Sequence, residues 1–154
     1  MTKSVPALLD AWREAERIWE QSENAEQVRA AALDVVKAWT EYQNAVAPPD
    51  DEFMLVADDE GRYVAATEGV TGVLGYTPGE LIGRRIVDIT APAIADSTPQ
   101  QWARFLAEGR QDGFYLLRHA EGDVVEVRYR ARAHHPIPGY HVSVLSPPHA
   151  TRRG

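Results

Sequence analysis

The sequence predicts an α+β chain: an N-terminal α-helical hairpin followed by a domain built on an antiparallel sheet. Three observations predict it. The first 47 residues hold no glycine and a single proline, Pro6, and their apolar residues recur in steps of three and four. At Pro48-Pro49 the period changes, and short apolar runs punctuated by glycine turns take over. Between residues 124 and 133, Val125, Val127, Tyr129, Ala131 and Ala133 alternate with Glu126, Arg128, Arg130 and Arg132. Strict alternation puts one face in a core and the other in water, which suits an antiparallel sheet.

In the first helix Leu8, Trp12, Ala15 and Trp19 form a seam flanked by Leu9 and Ile18, with Asp10, Glu14, Glu16 and Arg17 mostly elsewhere. Ser22-Glu23-Asn24 interrupts it. Asn24 followed by Gln27 resembles a capping box, in which side chains satisfy the orphan N–H groups of a new helix. From there Val28, Ala32, Val35, Trp39, Tyr42 and Val46 advance in alternating steps of four and three, and Ala31, Leu33, Val36 and Ala38 broaden the stripe. Two short helices bury too little to stand alone. Either they pack on the following domain, or Leu8, Trp12, Trp19, Val28, Val35, Trp39 and Tyr42 meet a second chain as dimerisation residues.

Residues 48–52, Pro-Pro-Asp-Asp-Glu, read as a stiff acidic linker. Phe53 to Ala57 is a strand, Asp58 to Gly61 a turn, and Arg62 to Ala66 the returning strand of a hairpin. Thr67 is placed to cap a short helix, Glu68 to Leu74, that stops at Gly75. Thr77-Pro78-Gly79-Glu80 opens a one-turn helix with threonine at the cap, proline at the first position and glutamate at the third. Thr90 to Thr98 is irregular. Thr98-Pro99 repeats the cap-and-proline grammar and opens a helix with Trp102, Phe105 and Leu106 on one face. Strands follow at Phe114–His119, 124–133 and Tyr140–Leu145, the domain spans 53–146, and 147–154 reads as a flexible tail.

Composition narrows the chemistry. The chain of 154 residues carries a formal net charge of −7, from 16 basic and 23 acidic side chains, which argues against nucleic acid as a partner. No apolar stretch approaches the roughly 20 residues that span a bilayer, and the N-terminus lacks a signal-peptide apolar region, so the expected location is the cytoplasm. There is no cysteine, hence no disulfide, thiol nucleophile or thiolate metal site.

The run Val73-Leu74-Gly75-Tyr76-Thr77-Pro78-Gly79-Glu80-Leu81-Ile82-Gly83 closely resembles the signature of the PAS (Per-Arnt-Sim) sensory family. Val56 to Val64 resembles that family's opening hairpin, Asp88-Ile89 and Pro92 continue in register, and Gly122 stands where the later hairpin's turn glycine belongs. The resemblance covers roughly residues 53 to 146. It implies a five-stranded antiparallel sheet with helices on one side, preceded here by the helical hairpin. It also implies a non-enzymatic sensor or adaptor in bacterial-type signal transduction. With no cysteine, a covalent flavin or cinnamate-type adduct is excluded. The segment Thr98 to Asp112 offers no axial histidine for heme. Non-covalent flavin stays open, and no cofactor is expected. As no further patterned segment follows residue 146, the expected output is contact within a homodimer or with a separate signalling protein.

The same resemblance places a ligand pocket between the inner sheet face and the long helix. Its candidates are Trp102, Phe105 and Leu106 opposite Val127 and Tyr129, with Val125 beside them. Tyr115 and Leu117 join if the hairpin turn carries an extra residue, whereas a plain two-residue turn turns Leu116 and Arg118 inward. These residues line a pocket for a small, largely apolar molecule, or they are the packed core of a purely structural interaction module. A polar, acid-bearing enzyme cavity does not fit the apolar inward faces. His134-His135 point to opposite faces, His119 and His141 lack a third ligand, and no metal is expected. Ser97 and Ser143 lack a base-and-orienter arrangement, and the Arg128, Arg130, Arg132 row reads as a solvated face.

Overall fold

The computed structural model describes residues 4–46 and 52–147. Most of the predicted linker and tail therefore lies outside the described residues. Helix α1 (Val5–Glu20) starts where the Ser4 hydroxyl accepts the Ala7 N–H, with Pro6 in its first turn. Helix α2 (Ala25–Ala45) starts at Asn24, whose side-chain oxygen accepts the Gln27 N–H. The reciprocal bond of the expected capping box is displaced by one residue, since Gln27 Oε1 accepts from Glu23 rather than Asn24.

The sheet comprises β1 (Phe53–Asp58), β2 (Tyr63–Ala66), β3 (Arg110–Arg118), β4 (Val124–Arg132) and β5 (Tyr140–Ser146). It is antiparallel throughout, in the order β2-β1-β5-β4-β3. Helices α3 (Gly69–Leu74), α4 (Pro78–Leu81) and α5 (Thr98–Glu108), with 3-10 turns at Ile86–Ile89 and Pro92–Ser97, fill the crossover from β2 to β3. At α4 the expected capping box is complete: Thr77 Oγ1 accepts the Glu80 N–H, and Glu80 Oε1 accepts the Thr77 N–H. Thr67 does something other than cap. Its hydroxyl accepts the Met54 N–H and pins β1 beside the end of β2, leaving α3 without a side-chain cap.

The β3–β4 register is set by its loop. Arg118 pairs with Val124, so residues 119–123 form the connection, and Gly122 takes a φ of +103° there. Tyr115 then lies opposite Val127 and Leu117 opposite Val125, sharing their face. Leu116 falls on the other face, with Glu126. Strand β3 starts at Arg110 rather than Phe114, because the polar segment Arg110-Gln111-Asp112-Gly113 pairs with β4 without any hydrophobic pattern of its own.

Two cores result, one on each face of the sheet. The inner core joins Phe53, Leu55, Val70, Leu74, Leu81, Ile89, Leu117 and Val127 beneath the short helices. On the outer face, Ala32, Val35, Val36 and Trp39 of α2 pack on Val56, Ala65 and Val142 and on Ile137 from the β4–β5 turn. That is where the heptad-like stripe goes. Val35 and Trp39 are buried against the chain's own sheet, Leu8 is buried, and Trp12 and Trp19 pack on the same cluster. Tyr42 stacks obliquely on Trp12, ring centroids 5.6 Å apart. Of the seven residues offered for dimerisation, only Val28 is exposed, at 37%. The hairpin packs on the chain's own domain, with Val28 left on its exposed face.

Candidate functional site

Between the inner sheet face and α5 lies a cavity of about 90 Å³. Strand alternation points Leu55 and Ala57 of β1, Tyr115 and Leu117 of β3, Tyr129 and Ala131 of β4, and His141, Ser143 and Leu145 of β5 at it. Tyr63 and Ile86 close one end, and α5 supplies Thr98, Gln101, Trp102 and Phe105. Five of the seven residues offered for a pocket, Trp102, Phe105, Tyr115, Leu117 and Tyr129, stand on this wall. Val127 is fully buried in the core behind it. Leu106 is not on the wall; one helical position beyond Phe105, it is turned about 100° away. In the sequence His141 and Ser143 stand out only as metal-ligand and nucleophile candidates and Tyr63 only within its strand, and none of them is placed on the cavity wall. The runs around them are apolar on both sides, since α2 covers the outer face, and alternation is lost there.

Polar groups on the wall are mostly tied to the frame. Tyr115 Oη lies 3.1 Å from both Thr90 Oγ1 and Thr98 Oγ1, so Thr98 serves the cavity wall rather than the helix cap, and Ser97, at the N-cap position, makes no side-chain cap bond. Tyr129 donates to Gln111 Oε1 at 3.0 Å, and burial pushes its phenol upward. The Trp102 indole donates to the Asp59 carbonyl at 3.0 Å, anchoring α5 to the β1–β2 turn. Among the described residues, no Asp, Glu, Lys or Arg lines the cavity.

His141 is buried, with Phe105 and Trp102 edge-on to its ring at 6.0 and 5.4 Å. Its Nδ1 accepts the backbone N–H of His134 at 2.9 Å, so the proton of the neutral ring sits on Nε2, which donates to Asp59 Oδ1 at 2.8 Å. Burial holds its pKa below the usual imidazole range, outweighing the bond to Asp59. His134 repeats the pattern, its Nδ1 accepting the Gly139 N–H at 3.0 Å.

Asp59, His134 and His141 form one triplet with ligand atoms within 4.8 Å, a grouping hidden by the distance between these residues in sequence. Metal ligation through Nε2 requires the proton on Nδ1, where a backbone N–H already points in each ring, so the triplet is built as a hydrogen-bond relay. For the same reason His141 has no free nitrogen to activate Ser143. His119 is remote from this group, at the β3–β4 connection beside Gly75, so it and His141 do not approach each other.

A family model described as the PAS fold matches residues 49–139. The chain belongs to the PAS family. Solved PAS structures share its architecture at low identity. A domain of a sensory box sensor histidine kinase/response regulator from Geobacter sulfurreducens is 14% identical, with a TM-score of 0.58, covering 71% of this chain and 94% of its own. The PAS domain of a LuxR-family transcriptional regulator from Burkholderia thailandensis, in complex with ethanol, is 15% identical with a TM-score of 0.56, covering 70% and 96%. The RpfR quorum-sensing receptor PAS domain from Cronobacter turicensis, in complex with BDSF, is 13% identical with a TM-score of 0.55, covering 66% and 98%. No curated protein matches this sequence. At such identities the solved structures establish the PAS fold and nothing finer.

Proposed function

We propose that this PAS protein is a non-enzymatic, cytoplasmic sensor or adaptor. It takes a small, largely apolar ligand non-covalently into the inner cavity. Its output is contact, within a homodimer or with a separate signalling protein, made through the helical hairpin. The observation that carries the reading is a wall of apolar side chains with a few oriented polar groups, joined through His141 and the 134–139 turn to α2. The ligand-bound PAS relatives support it. No described helix is long and apolar enough to cross a membrane. The tricyclic ring of a flavin is far larger than the cavity of about 90 Å³, and no cofactor is proposed.

The test is native mass spectrometry of protein purified from its own host, with thermal shifts across a metabolite library. Bound mass or a stabilising hit is expected, and an empty, unresponsive cavity refutes the ligand. The small volume favours a second reading, a scaffold with no ligand at all. Trp102→Ala separates the two. On a wall, its loss costs clearly less than the ~3–5 kcal/mol of emptying a packed aromatic site and alters binding, whereas in a scaffold it costs that full amount.

A further inference from the structure

Three phenols reach the cavity, and two are satisfied: Tyr115 by Thr90 and Thr98, and Tyr129 by Gln111. Tyr63 is different. Its side chain comes off β2 beneath the short helices and is 6% exposed, yet its hydroxyl has no hydrogen-bond partner among the described residues. Nor is that hydroxyl sealed away. Trp12 Nε1 is the one fully buried side-chain nitrogen or oxygen left without a partner among the described residues. The Tyr63 hydroxyl is therefore not fully enclosed, and Tyr63 is one of the residues that line the cavity. Burial pushes the phenol far upward, so it remains a protonated donor. A donor on a cavity wall without a protein acceptor is one that a ligand oxygen can engage.

The rest of the wall restricts what carries that oxygen. Among the described residues Asp, Glu, Lys and Arg are absent from it, and both ring nitrogens of His141 are engaged. A charged ligand would leave water with no counter-charge to meet it. An apolar cavity of about 150 Å³ holds benzene. A cavity of about 90 Å³ holds less.

We propose that the cavity takes a neutral molecule of about four or five non-hydrogen atoms, apolar except for one carbonyl, ether or hydroxyl oxygen, to which Tyr63 donates a hydrogen bond. The proposal rests on the reading of this cavity as a ligand site and adds the ligand's class and its anchor.

The experiment is an amide NMR titration of the full chain with three probes of about five non-hydrogen atoms each: cyclobutanone, its near-isostere methylenecyclobutane, and propionate. Tyr63→Phe is expected to weaken cyclobutanone about three- to tenfold, the worth of one neutral hydrogen bond, while the hydrocarbon binds as before. Propionate leaves the cavity residues unshifted in both proteins. The carbonyl carbon of labelled cyclobutanone should also move downfield on binding the wild type, a reading that does not depend on the variant folding. A ketone affinity unchanged in Tyr63→Phe, or a carbonyl carbon that does not move, overturns the anchor and leaves the cavity a ligand site. Propionate binding as tightly as the ketone overturns the neutral class. If none of the three shifts the cavity residues, both the ligand class and the ligand-site reading fall.

Discussion

The imidazole of His135 stands edge-on to the indole of Trp39, ring centroids 5.5 Å apart and planes at 89°. The neighbouring residue, His134, gives its backbone N–H to His141 on the cavity wall. One short turn thus touches the cavity on one side of the sheet and α2 on the other. A ligand shifts such an arrangement only by interacting differently with its two states, and His141 is where the difference would be felt.

If this turn carries the signal, His135→Ala should leave cavity binding intact but remove any ligand-dependent change in the amide exchange of α2. Hydrogen-exchange mass spectrometry with and without a saturating ligand reads both. An undiminished response in α2 would exclude the His135–Trp39 contact as the route.

Trp39 is 3% exposed between α2 and the outer sheet face. Trp39→Ala is expected to cost ~3–5 kcal/mol by urea denaturation, the range for emptying a packed aromatic site. Val28→Ala, on the exposed face of the same helix, should stay within about 0.5 kcal/mol. Comparable costs at the two positions would mean that α2 is not docked on the sheet.

Burial holds His141 below the ordinary imidazole range, and burial followed by the nearby charge of Arg132 does the same to His135. The unfolded chain accepts protons near pH 6.5 that the folded chain refuses. Stability from these groups is therefore complete above about pH 6.5 and is lost as pH falls through the depressed folded values. Urea midpoints should drop between about pH 7.5 and 5.5, with a shallower slope in His141→Gln. A midpoint that rises over that interval would contradict the assignment.

Two helical glycines should respond oppositely to alanine. At Gly69 a Cβ would run into the Glu52 carbonyl oxygen, so Gly69→Ala must force β1 and α3 apart and destabilise. At Gly79 nothing lies within 4 Å and φ is not positive, so Gly79→Ala should stabilise by ~0.4–1 kcal/mol through the unfolded chain. Thermal midpoints shifting in the same direction for both variants would contradict this placement.

Local grammar was the legible part of this sequence. The Thr77–Glu80 box, the Gly75 stop with its φ of +84°, the β1–β2 turn and the alternation of β4 all lie within a few residues of their causes. What escaped depends on distance. Thr67 and Thr98 look like caps, yet their hydroxyls serve Met54 and Tyr115. Val28 to Val46 has the stepping of an intermolecular seam, and nothing within it says that Val56, Ala65 and Val142 will cover it. The inward direction of Tyr63 and His141 gave no signal, because β2 and β5 carry apolar residues on both faces and hide which side points inward.

The sheet order has a consequence for how the chain assembles. β1 and β5 come from opposite ends of the domain and pair along its centre, Phe53 with Leu145 through Asp58 with Tyr140. Each outer hairpin can zip locally, but the central seam closes a long loop before its contacts are gained. The surface on which α2 rests includes Val142 of that last strand. During synthesis the helical hairpin leaves the ribosome before the sheet domain, yet it waits for nearly the whole of that domain before its apolar stripe has somewhere to go.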